Sequence, residues 1–112
     1  MQDPIGRRSL RLGTDREVIV EIGRPYPWEY GNGDFKCEYE ISGLGNGKAS
    51  YAIGVDGIQA LYLALQSIGT DLYTSEESNR GDLRWEGGMI AGDLGFPVPD
   101  AISDLRPMGR ET

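Results

Sequence analysis

The sequence contains no histidine. That absence removes the commonest general base and the commonest metal ligand, and with them every Ser-His or Cys-His nucleophile pair. There is one cysteine, Cys37. It cannot close an internal disulfide, and its place in an alternating stretch predicts a buried, inert thiol. Cysteine usage this sparse fits a reducing compartment. Basic residues are also few: 11 Lys and Arg face 18 Asp and Glu, for a formal net charge of −7. An acidic surface repels phosphate backbones and argues against nucleic acid as a partner. It suits a soluble domain or a basic protein partner. No apolar run approaches membrane-spanning length, and the stretch Met1 to Arg8 lacks the apolar centre of a signal peptide. The expectation is a cytoplasmic chain without membrane contact.

The motifs of metal and phosphate chemistry are missing too. Asp93, Asp100 and Asp104, or Asp71, Glu76 and Glu77, lack the spacing of a calcium loop. The glycines at 43, 45 and 47, and at 31 and 33, match neither a P-loop nor a dinucleotide fingerprint and read as hairpin turns. No cofactor and no metal are expected.

What the chain does have is one strong helix signal, from Val55 to Gly69. Asp56 is a good N-cap, and Gln59 three residues on completes a capping box. Gly69 offers a left-handed stop. Ile58, Leu61, Tyr62, Leu65 and Ile68 recur at helical spacing as one apolar stripe, with Gln59, Leu63, Gln66 and Ser67 opposite.

The strands before the helix supply the surface it needs. Ser9–Gly13 and Glu17–Ile22 read as two strands joined by Gly13-Thr14-Asp15. Phe35–Ile41 alternates cleanly: Phe35, Cys37, Tyr39 and Ile41 share one face, and Lys36, Glu38 and Glu40 the other. Lys48–Gly54 is the fourth strand and Leu83–Glu86 a possible fifth. Leu94 and Phe96 are packing anchors in a Gly/Pro-punctuated segment. The fold predicted is therefore α+β: an antiparallel meander of four to five strands with one amphipathic helix packed on one face. Its 112 residues make a single domain, 1–112, with an ordered core of about 7–99 and residues 100–112 as a tail or a short helix from Pro99 to Leu105.

Between the second and third strands lies a loop of about a dozen residues, long for a compact domain. It carries Tyr26, Trp28 and Tyr30 at alternate positions, with Glu29 and Asp34 among them. Tyr and Trp dominate interface hot spots, and loops on rigid scaffolds carry function. These five residues are the candidate protein-binding site. The bland alternative has the rings folded back to cap the core.

The run Gly54-Val55-Asp56-Gly57-Ile58-Gln59-Ala60-Leu61, followed by Leu83-Arg84-Trp85-Glu86-Gly87-Gly88 and by Asp93-Leu94-Gly95-Phe96-Pro97, resembles a family of small uncharacterised bacterial proteins. That family keeps a G-V-D-x-x-Q-A-L helix start and a late L-G-F-P. The resemblance runs over roughly residues 7–99. It implies no activity and no catalytic residues. Small acidic bacterial proteins of this build are often immunity proteins, by analogy only.

The functional expectation is a non-enzymatic, immunity-type binding protein that neutralises a toxin, a basic one on charge grounds, by protein contact. One rival is a small carboxylate hydrolase using Glu38, Glu40 and Tyr26. Another is a homo-oligomeric structural subunit, with Leu63 or an open sheet edge in the contact. The chain would be a monomer or a homodimer.

Overall fold

A computed structural model describes residues 1–107. The last five positions of the expected tail lie outside the described residues. Strand β1 spans Gly6–Leu12, β2 Arg16–Ile22, β3 Tyr26–Pro27, β4 Phe35–Ser42 and β5 Lys48–Gly54. Helix α1 spans Gly57–Tyr73, α2 Glu76–Asn79, and β6 Leu83–Arg84; a 3-10 turn covers Asp100–Leu105. All pairings are antiparallel. β1, β2, β4 and β5 form the meander, and β6 adds two residues beside β1. β3 pairs with Phe35 and Lys36 on the edge of β4 that β2 occupies further along, because β5 holds the other edge. The α+β reading holds, with six strands among the described residues, of which two are only two residues long.

Alternation dictates which side chains enter the core. Leu10 and Leu12, Val18, Val20 and Ile22, and Cys37, Tyr39 and Ile41 are buried on one face of the sheet. α1 lies across that face at β4 and β5. Leu94, Phe96 and Val98 follow the short elements and are buried as well.

The helix corrects two expectations. Gly69 does not stop it; α1 runs on to Tyr73. Gly69 is buried, and a Cβ there would sit 2.0 Å from the carbonyl oxygen of Pro97. The residue is glycine because a second segment crosses the helix at that point. The buried stripe is also rotated. Ala60, Ala64, Ile68 and Leu72 face the sheet, Leu61 and Leu65 flank them, and Ile58 and Tyr62 lie outside, Ile58 with 81% of its surface exposed. Small alanines face the sheet because the helix approaches closely. At its start, a Cβ on Gly54 would meet the backbone nitrogen of Ala60 at 2.3 Å. The expected cap is present: Asp56 accepts from the Gln59 backbone at 2.8 Å, and Gln59 returns a bond to the Val55 N–H at 2.7 Å.

Candidate functional site

The loop that follows β3 is built by its turn chemistry. The Trp28 N–H donates to the carbonyl of Asp34 at 2.9 Å, Gly31 donates to Trp28 at 3.0 Å, and Asp34 donates back to Gly31 at 3.0 Å. Asn32 and Gly33 have φ of 50° and 103°, a left-handed pair that only short or absent side chains adopt readily. The Trp28 ring packs against Gly31, where a Cβ would come within 2.9 Å of it. Trp28 is thereby half-buried and fixed. Tyr30 meets it edge to face, with ring centroids 5.8 Å apart and planes at 75°, and keeps 76% of its surface exposed. Glu29 is exposed beside them and Asp34 half-buried.

Tyr26 departs from this group. It lies on β3, exposed on the sheet face away from the helix, and its hydroxyl donates to Glu38 at 3.0 Å. Desolvation, aided by that carboxylate, raises the phenol above its ordinary pKa. The loop therefore presents its aromatics rather than folding them all into the core. Trp28 and Tyr30 form one contact pair and Tyr26 a separate neighbour.

Sequence periodicity missed the apolar surface next to this loop. Pro25, Gly57, Ile58 and Leu61 line a shallow open depression of about 500 Å³ at the start of α1. Phe35 pairs with Pro27 on one side and with Gly54 on the other, so the aromatic loop and the helix start share one end of the sheet. Val55, Ile58 and Tyr62 are exposed there. The available signal was Ala60 and Ala64: small residues at helical spacing mark the sheet-facing side and leave Ile58 outside. Glu29, Asp34 and Asp56 place negative charge around this end, against Arg24 and Lys36.

A second depression, of about 230 Å³, lies between α1 and the first two strands, lined by Gly6, Val20, Ile22, Leu65 and Phe96. Arg8 borders it but is committed elsewhere. Its guanidinium lies 3.9 Å from the centroid of the Trp85 ring and 4.8 Å from that of Phe96, and it donates to the carbonyls of Leu94 and Gly95. Burial pulls its pKa down from the usual arginine value. This arginine holds a structural segment in place.

The carboxylates weighed as catalysts sit on the open sheet face. Glu38 is exposed, with Lys36 at 3.8 Å, and Glu40 is half-buried, with the Met1 ammonium at 3.0 Å. The structure does bring Tyr26 to Glu38, but on an open sheet face. Among the described residues there is no group of three or more potential metal ligands.

The most buried polar cluster is elsewhere. Asp93, 3% exposed, accepts from the Gly95 N–H at 3.0 Å and from the Tyr73 hydroxyl at 3.4 Å, while the Leu94 N–H donates to the Tyr73 oxygen at 2.9 Å. These bonds tie the end of α1 to the segment crossing it. Tyr39 makes a comparable tie, donating to Asp71 at 2.7 Å, and Lys48 donates to the same carboxylate at 2.9 Å. Desolvation and Asp71 together push the Tyr39 phenol far up. No helix among the described residues is long and apolar enough to cross a membrane.

No curated protein and no solved structure matches the chain significantly. Residues 6–98 match one family model, and the chain therefore belongs to the family described as a domain of unknown function, DUF6968.

Proposed function

We propose that this domain is a non-enzymatic protein-binding module of the bacterial immunity type, acting in the cytoplasm to neutralise a basic toxin by surface contact. The supporting observation is the end of the sheet where Trp28 and Tyr30 are presented on a hydrogen-bonded loop beside the exposed Ile58. A fixed aromatic pair gives contact area at little entropic cost on binding. Glu29, Asp34 and the net charge of −7 complement a basic partner and would mainly speed encounter, whereas the aromatics would slow release.

The test is affinity capture from the source cell's lysate with two folded baits, the wild type and Trp28→Ala. One stoichiometric basic protein should stay on the wild type, leave as salt rises, and bind the variant more weakly by more than about 1 kcal/mol. Equal retention by both baits would remove the loop from the interface. A blank from folded wild-type bait would overturn the binding reading itself.

A further inference from the structure

Beyond Lys48 at its start, the margin of the sheet formed by β5 lacks the usual protections of an exposed edge. β5 pairs with β4 on one side and, among the described residues, with no strand on the other. Its register is unbroken from Lys48 opposite Ile41 to Gly54 opposite Phe35, so no bulge turns it away. It contains no proline, and no charged residue stands between Lys48 and Asp56. The opposite margin differs: β6 covers Arg11 and Leu12 there, and the rest is β1, with Arg7 and Arg8. Charge of that kind discourages strand addition, whereas a long, flat, uncharged edge invites it.

We infer that β5 pairs with β5 of a second copy of this chain, making one continuous antiparallel sheet across a two-fold axis at Ala52. The argument for a second copy is self-complementarity. In an antiparallel pair centred on Ala52, Tyr51 stands opposite Ile53 of the copy and Ile53 opposite its Tyr51. Both lie on the open sheet face with Lys36, Glu38 and their neighbours. An aromatic opposite a β-branched residue is a favourable cross-strand pair. The same register sets Ser50 opposite Gly54 of the copy, within the span of β5. Small residues meet at its centre.

The charge of the whole chain points the same way. Two copies at −7 repel, and the approach that costs least is along a stretch without carboxylates. The helix offers no obstacle. Its flank toward this margin carries Ser67 and Asp71, and Leu63, one turn before Ser67, lies half-buried on the same flank. Exposed Tyr51 would be covered by the pairing. This inference does not rest on the partner-binding reading, because the Trp28–Tyr30 pair lies outside the proposed contact. Trp28→Ala should leave the dimer mass unchanged.

The experiment is sedimentation equilibrium on the full chain across a wide concentration range, with three variants checked for folding by circular dichroism. The wild type should dimerise. Tyr51→Lys should be monomeric at concentrations where the wild type is a dimer, because it sets two ammonium groups against Ile53 of the copy. Adding Ile53→Glu should restore the dimer, since each new lysine then faces a new glutamate. Adding Ala49→Glu instead should not. Within one chain residue 51 lies opposite Glu38 and residue 53 opposite Lys36, so each new charge has an opposite charge across the strand pair. Tyr51→Lys gives up the contact of Lys36 over the Tyr51 ring at 4.2 Å, which is why folding is checked first. On the wild type, hydrogen exchange at the outward β5 amides should slow as concentration rises. A wild type monomeric throughout, a dimer that survives Tyr51→Lys, identical behaviour of the two double variants, or exchange independent of concentration would each overturn the inference.

Discussion

Two residues show how much a single position can decide. Gly69 lies inside a helix, where glycine costs about 1 kcal/mol relative to alanine. Propensity alone therefore says that Gly69→Ala stabilises. The carbonyl of Pro97 says the reverse, since the added methyl would sit 2.0 Å from it. Overpacking of that kind costs about 1–3 kcal/mol. Gly69→Ala is expected to lower stability in urea denaturation; a gain would mean that the crossing segment yields easily. Cys37 makes a second case. It is fully buried, and its thiol donates to the carbonyl of Gly23 at 3.4 Å. Desolvation raises its pKa from 9.0 to about 11. The folded chain thus holds this proton more tightly than the unfolded one does. The associated stability is complete below about pH 9 and is lost as pH climbs toward 11. Tyr39, also raised, adds a loss of the same sign at higher pH. Denaturation midpoints followed from pH 8 upward should fall, and Cys37→Ala should remove the earlier part of that fall.

Among the elements, the four long strands were readable because each obeys a two-residue period and ends at a turn. Phe35–Ser42 is the plainest, with Cys37, Tyr39 and Ile41 inside and Glu38 out. β1 proved longer at its start than expected, since Gly6, Arg7 and Arg8 pair with β2 as well. The helix was readable at its beginning, where Asp56 and Gln59 cap it through local chemistry. Its far end was not readable. Whether a glycine stops a helix or admits a neighbour depends on what lies opposite it in space, and Pro97 is remote in sequence. The buried face was misjudged for the same reason: large side chains were credited with burial that proximity had given to Ala60 and Ala64. Of the candidate site, the loop's aromatics were legible as contact candidates but not whether they fold back: Tyr26 and Tyr30 are exposed, Trp28 is half-buried, and the exposed Ile58 at the same end of the sheet was not legible. The last turn of α1 gives the test at this scale. Tyr73 holds the Leu94 N–H and reaches Asp93. Tyr73→Phe leaves that buried N–H without its acceptor, which costs about 1–3 kcal/mol. The loss should show as a lower urea midpoint with the fold otherwise intact.

At the level of the whole molecule, the two faces of the sheet do different work. One carries the core beneath α1 and the crossing segment. The other is a lattice of arginines, lysines and glutamates across neighbouring strands, such as Arg7 near Glu21 at 3.6 Å. Exposed pairs like this one contribute at most about 1 kcal/mol each, so the fold is held from the helix side. That side is completed late in the chain. Leu94, Phe96 and Val98 are buried against elements that precede them by dozens of positions, and Asp93 anchors them to Tyr73. During synthesis, strands and helix therefore leave the ribosome before the hydrophobic surface they share can be closed. A nascent chain stalled before Asp93 would carry an uncovered apolar face, the kind of surface that chaperones hold. A fragment ending at residue 92 is accordingly expected to unfold without cooperativity and to bind a hydrophobic dye, while one ending at residue 99 melts in a single transition. The timing of translation, more than the order of the elements, would then set when this domain becomes itself.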